Sequence, residues 1–79
     1  MNNKKKYKDI FVKSLSLKNK NFNENIKYNE TLEWDSMSHM ILISSLQDFF
    51  RITIKPDDII DFSSYKKGIK ILKKYKVKI

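Results

Sequence analysis

One glycine and one proline among 79 residues leave this chain almost without tight-turn residues. A hairpin-rich β architecture is therefore disfavoured, and helices joined by a few connections are favoured. With no cysteine, disulfides, thiolate metal cages and a thiol nucleophile are all absent, and stability rests on hydrophobic packing. Apolar residues make up 41% of the chain, ten of them aromatic, which is enough for one small core. The length predicts a single domain over residues 1–79 and excludes a two-domain enzyme.

Apolar spacing predicts an all-α fold with helices over about residues 4–17, 36–51, 57–61 and 64–75 and a frayed basic tail over 76–79. Tyr7, Ile10, Phe11, Leu15 and Leu17 mark one face of the first helix. Residues 18–34 hold five asparagines without sustained periodicity and read as a long loop anchored by Phe22, Ile26, Tyr28 and Leu32. Asp35 or Ser36 caps the second helix, the best-patterned segment, which carries Met37, Met40, Ile41, Ile43, Leu46, Phe49 and Phe50. Ile52 and Ile54 form an extended link, and Pro56 with Asp57 and Asp58 opens a short third helix. Ser63 or Ser64 caps the last helix, where Gly68 weakens helicity by up to about 1 kcal/mol relative to alanine. The longest apolar run near the centre is Met40 to Ile43, far short of the roughly 20 residues that span a bilayer. The opening is too short in apolar residues for a signal peptide. A cytoplasmic monomer without stable membrane insertion is expected.

The net charge of +8 is distributed unevenly. Residues 1–20 carry +6, residues 66–79 carry +7, and residues 21–65 carry −5. The best-patterned segment is thus mildly acidic and does not bind phosphate through a basic patch. Arg51 is the sole arginine, and without arginine's planar fork a nucleic-acid module would be unusual. Lys, Asn and Ile account for 34 of the 79 residues, a bias that explains many lysines without assigning them a role, and no nucleic-acid partner is expected.

Few residues carry chemistry. His39 is the only histidine, and its place three residues after Ser36 makes no triad, because nothing aligns the imidazole with the serine proton. It reads as a surface or partner-facing residue. Asp57, Asp58 and Asp61 suit a helix N-terminus, and no metal site is expected. Ser36 has two readings: a plain N-cap, or a hydroxyl beside backbone N–H groups and the positive end of the helix dipole, where a covalent phosphodiester would be favoured.

The stretch from Leu32 to Phe62, LEWDSMSHMILISSLQDFFRITIKPDDIIDF, resembles the acyl and peptidyl carrier proteins. Their mark, Asp-Ser-Leu or Asp-Ser-Met at the start of the second helix, stands here as Asp35-Ser36-Met37, in register with Leu46, Phe50, Ile54 and Pro56 to Ile60. The wording around Ser36 is similar to discrete carriers of specialised pathways, such as surface-glycan or aminoacyl-loading systems. The resemblance implies a four-helix acyl-carrier-like bundle with a long first loop and a short third helix. It implies that Ser36, with Asp35 beside it, receives 4′-phosphopantetheine from coenzyme A through a separate phosphopantetheinyl transferase. It also implies that the arm holds an acyl or aminoacyl group as a thioester and that the chain catalyses nothing itself. An acyl- or aminoacyl-loading enzyme and an acyltransferase are the further partners.

On this reading Met37, His39, Met40 and Ser44 face outward as a partner surface, while Ile43, Leu46, Phe50, Ile54, Ile59 and Phe62 line an acyl pocket or core between the second and third helices. The second helix is poor in acids for such a carrier, with only Asp35 and Asp48 flanking Ser38, His39, Ser44, Ser45 and Gln47. A dedicated partner with a neutral or apolar face fits better than bulk fatty-acid enzymes. The competing expectation is a small basic helical module that binds nucleic acid or an anionic membrane through its lysine-rich termini.

Overall fold

Among the described residues, four helices form where apolar residues recur at three- and four-residue spacing. The computed structural model describes residues 3–17 and 22–79, with helices α1 (Asn3–Ser14), α2 (Ser36–Phe50), α3 (Pro56–Asp61) and α4 (Tyr65–Lys74). Tyr28–Glu30 makes a single 3-10 turn, and an antiparallel bridge joins Lys27 to Ser64. The part of the expected long loop over residues 18–21 lies outside the described residues.

Helix starts follow local chemistry. Asp35 caps α2, Pro56 occupies the first turn of α3, and the Ser64 hydroxyl accepts from the Lys67 N–H at the start of α4. Helix ends do not follow composition. α1 stops at Ser14 rather than near Leu17, because Ser16 turns left-handed (φ 53°) and the Leu17 N–H reaches back to the Val12 carbonyl at 2.9 Å. α2 and α4 close in the same way through Arg51 (φ 55°) and Lys76 (φ 66°), with the N–H groups of Ile52 and Val77 bonded to the carbonyls of Gln47 and Leu72. This closure satisfies the last carbonyls of each helix.

The core is largely aromatic where α1 meets α4. Tyr7 stacks on Tyr65 at 4.8 Å between centroids, Phe11 meets Trp34 edge-on at 4.9 Å, and the Tyr7 hydroxyl donates to the Tyr65 carbonyl at 2.8 Å. Burial pushes the Tyr7 hydroxyl pKa far above its ordinary value, with the neighbouring Tyr65 a lesser cause. Leu42, Ile43 and Leu46 of α2 and Ile71 and Leu72 of α4 complete the core. Gly68 is buried against Tyr7 and Phe62, and a methyl on its Cα would overlap Phe62 Cζ and Tyr7 Oη. The glycine that weakens α4 locally is therefore what lets α1 and α4 approach.

Two expectations about anchors are corrected. Ile26 is buried, and Phe22 and Tyr28 pack partly against the core, but Leu32 is 93% exposed, because the turn after the 3-10 segment directs it outward. The segment after α4 is tied down rather than frayed: Val77 is buried, Ile79 packs against the core, and Asn3 Nδ2 donates to the Lys78 carbonyl at 2.9 Å.

These contacts fix the helix directions. The C-terminal half of α1 lies by Trp34 and the start of α2, while Asn3 meets the segment after α4. The end of α4 also meets the start of α3, where Asp58, itself buried, accepts from Lys74 Nζ at 2.7 Å and from the Tyr75 hydroxyl at 2.5 Å. The Tyr75 oxygen in turn accepts from the Lys55 N–H at 2.9 Å.

Candidate functional site

The first turn of α2 assigns different work to its two serines. The Asp35 carboxylate accepts from the Ser38 N–H at 2.9 Å, and the Ser38 hydroxyl accepts from the Asp35 N–H at 2.9 Å, forming a reciprocal cap. The Ser38 hydroxyl itself donates to the Glu33 carbonyl at 2.8 Å. Hydrogen bonds from the Ser38 backbone and then from its side chain hold the Asp35 carboxyl below the usual carboxylate range. The cap is thus complete without Ser36. Ser36 is the first residue of α2 and is exposed, and among the described residues no hydrogen bond engages its hydroxyl.

His39 departs from the outward position expected for it. It is half-buried, with Nδ1 3.0 Å from Trp34 Nε1 and Nε2 2.8 Å from the Ile59 carbonyl. Indole N–H is only a donor, so Nδ1 accepts, and Nε2 carries the proton donated to Ile59. The ring is a strut that joins the start of α2 to α3, not a partner-facing group. Trp34, 2% exposed, is the wall on which this strut rests.

Around Ser36 the surface is apolar. Met37 is 76% exposed and Met40 54%, and Ser44 continues the same exposed stripe along α2. Leu32 in the preceding turn and Ile60 on α3, 79% exposed, are further exposed apolar side chains. The large exposure of such side chains is characteristic of an interaction surface.

The expected pocket lining is only partly assembled. Ile43, Leu46 and Ile54 are sealed in the core, and Phe50 and Ile59 are half-buried at its edge. Phe50 sits at the last turn of α2, edge-on to the more exposed Phe49 and packed against the rim of the core. A shallow cavity of about 240 Å³ does open between α2 and α3, but Tyr28, His39, Ile59, Ile60, Phe62 and Ser63 line it. Of the six expected residues, Ile59 and Phe62 reach it. The sequence reading missed Ser38, Trp34, Leu32 and Ile60. The Asp-x-x-Ser spacing from Asp35 to Ser38 could have revealed the cap, whereas nothing local marks Ile60.

Among the described residues, no cluster of three or more His, Cys, Asp or Glu side chains is placed to hold a metal ion, and no helix is long and apolar enough to cross a membrane. No protein-family model, curated protein or solved structure matches this chain.

Proposed function

We propose that this chain is a carrier protein of the acyl and peptidyl carrier kind, with Ser36 as the attachment point of 4′-phosphopantetheine. The observation that carries the reading is the division of labour at the start of α2. Asp35 and Ser38 satisfy the helix cap, leaving Ser36 an exposed hydroxyl with no structural task. A phosphodiester there fits the residues present, because the hydroxyl is accessible and lies at the positive end of a 15-residue helix. When bound, the arm supplies the thiol on which an acyl or aminoacyl group is held as a thioester.

The chain's own residues would position and shelter that arm. Trp34 and His39 fix the angle between the start of α2 and α3. Met37 and Met40 offer a flexible apolar contact to the transferase and the loading enzyme, a role suited to methionine's adaptable side chain. The cavity walled by Ile59, Ile60 and Phe62 gives a short cargo a partial apolar shelter. The near-absence of charge along α2 favours a dedicated loading partner with an apolar docking face over one that recognises acidic helices.

Incubation of the unmodified protein with coenzyme A, magnesium and a broad-specificity phosphopantetheinyl transferase tests this reading. Intact mass should rise by one arm, and Ser36→Ala should abolish the gain. Failure of the native protein to gain mass, or an unchanged gain in Ser36→Ala, would contradict it.

A further inference from the structure

Compositional bias alone would spread lysine over the chain, but α4 holds five lysines in ten residues and α2 holds none in fifteen. The fold concentrates this charge further. Asn3 bonds the segment after α4, and Lys55 and Asp58 meet Tyr75 and Lys74. The start of α1, the end of α2, the start of α3 and the end of α4 therefore share one end of the molecule. Lys55 and Lys74 lie there with Asp57 and Asp58, and Lys73, Lys76 and Lys78 beside them. Lys74 is committed to Asp58. Lys73, Lys76 and Lys78 are exposed and rim a shallow depression whose apolar lining is Val77 and Ile79. The opposite end holds Ser36 with Glu30, Glu33 and Asp35 but also Lys27, Lys66 and Lys67 beside the start of α4, so its charges balance, and it is separated from the basic end by the length of α2, about 22 Å at 1.5 Å per residue.

We infer that the basic end is a peripheral docking surface for an anionic lipid bilayer, which leaves the Ser36 end facing away from the membrane. Charge complementarity selects the occupant. Lysine ammonium groups are hydrated point charges suited to diffuse attraction by anionic headgroups, each contributing roughly 1 kcal/mol near such a surface. Duplex recognition draws on arginine forks, and single strands need exposed aromatic platforms. Here Arg51 is alone, Tyr75 is engaged by Asp58 and Lys55, and Phe49 at the end of α2, 42% exposed, lines a groove with Ile10, Lys13 and Ile41 rather than the lysine-rimmed depression. The apolar face of α4 is already spent on the core through Tyr65, Ile71 and Leu72, so attachment is electrostatic and superficial, without insertion. The inference does not depend on what Ser36 carries.

Vesicle co-sedimentation separates the possibilities. The protein should bind vesicles of phosphatidylcholine containing about 30% phosphatidylglycerol, ignore pure phosphatidylcholine, and dissociate as salt rises from about 0.1 to 0.5 M. Changing Lys73, Lys76 and Lys78 together to glutamine should weaken binding by about 100-fold, at roughly 5-fold per lysine. Lys74 is left intact to preserve its ion pair. The same charge removed from the other end, by changing Lys27, Lys66 and Lys67 to glutamine, should cost less than about 10-fold. Unchanged far-ultraviolet circular dichroism checks that both variants remain folded. Equal binding to both vesicle types, equal losses in the two variants, or displacement from the anionic vesicles by duplex DNA at matched phosphate concentration would each overturn the assignment.

Discussion

At Gly68 two residue-level effects oppose each other, and their magnitudes decide the sign. Alanine would raise helix propensity by up to about 1 kcal/mol, but its methyl would overlap Phe62 and Tyr7 where α4 approaches α1. Overpacking of this kind costs about 1–3 kcal/mol, and displacing Tyr7 also strains its bond to the Tyr65 carbonyl. Gly68→Ala should therefore lower unfolding stability by about 1–2 kcal/mol in urea titration, and a stabilised variant would show that the contact is loose. Residue roles were legible where they are local: a cap at Asp35 or Ser36, another at Ser63 or Ser64, and Pro56 at a first turn follow from near neighbours, and the structure selects Asp35 and Ser64 as the caps. His39 was not, because its partners are Trp34 and the carbonyl of Ile59, twenty residues away. A histidine three residues after an exposed serine looks like surface until the packing of α3 is known. Gly68 failed for the same reason, since only tertiary contact distinguishes a helix-weakening glycine from one that admits a neighbouring ring.

Among elements, α3 is the most dependent on outside support. Six residues cannot sustain a helix in isolation, and α3 is held to α4 by the Asp58 carboxylate between Lys74 and Tyr75. The hydrogen bond from Lys74, and then that from Tyr75, holds the Asp58 carboxyl below its ordinary 3.8. Because the folded value is depressed, this stabilisation is present above the unfolded value and disappears as pH falls through the folded one. Melting temperature should drop as pH falls below about 4, and Asp58→Asn should flatten part of that decline. Asp35 contributes in the same direction, so a residual acid limb should remain. At the alkaline side the values of Lys74 and Tyr75 are raised, chiefly by hydrogen bonding to Asp58, so their support should be lost above about pH 10. An acid limb identical in Asp58→Asn and the native protein would place the linkage elsewhere. Element positions were readable from apolar spacing, and the ends of α2 and α4 fall within one residue of those expected, but the end of α1 was not readable. Ser16, Arg51 and Lys76 take a left-handed conformation that glycine usually marks, so residues such as Leu15 and Leu17 look like a continued helix when the chain has already turned.

On the scale of the whole molecule, the two ends differ in surface character. The Ser36 end exposes methionines among mixed acids and lysines, and the opposite end carries the exposed Lys73, Lys76 and Lys78. The uneven charge was visible in the sequence, but its assembly from the start of α1 and the end of α4 was not, because it requires the antiparallel pairing fixed by Gly68 and Tyr7. If the exposed Met37 and Met40 stripe receives the loading enzyme, Met40→Glu should reduce loading by at least about 10-fold, the equivalent of 1.4 kcal/mol of lost apolar contact. Glutamine at Lys73, Lys76 and Lys78 should leave loading in solution unchanged. The reverse pattern would move the docking surface to the basic end.

The central claim is that one serine of two in the same helical turn carries the arm. Co-expression with a phosphopantetheinyl transferase, proteolysis, and fragment-ion mapping of the peptide spanning Asp35 to Met40 should place a single phosphopantetheine on Ser36 and none on Ser38. An adduct on Ser38, or an unmodified peptide under conditions that fully convert a control carrier, would contradict the account.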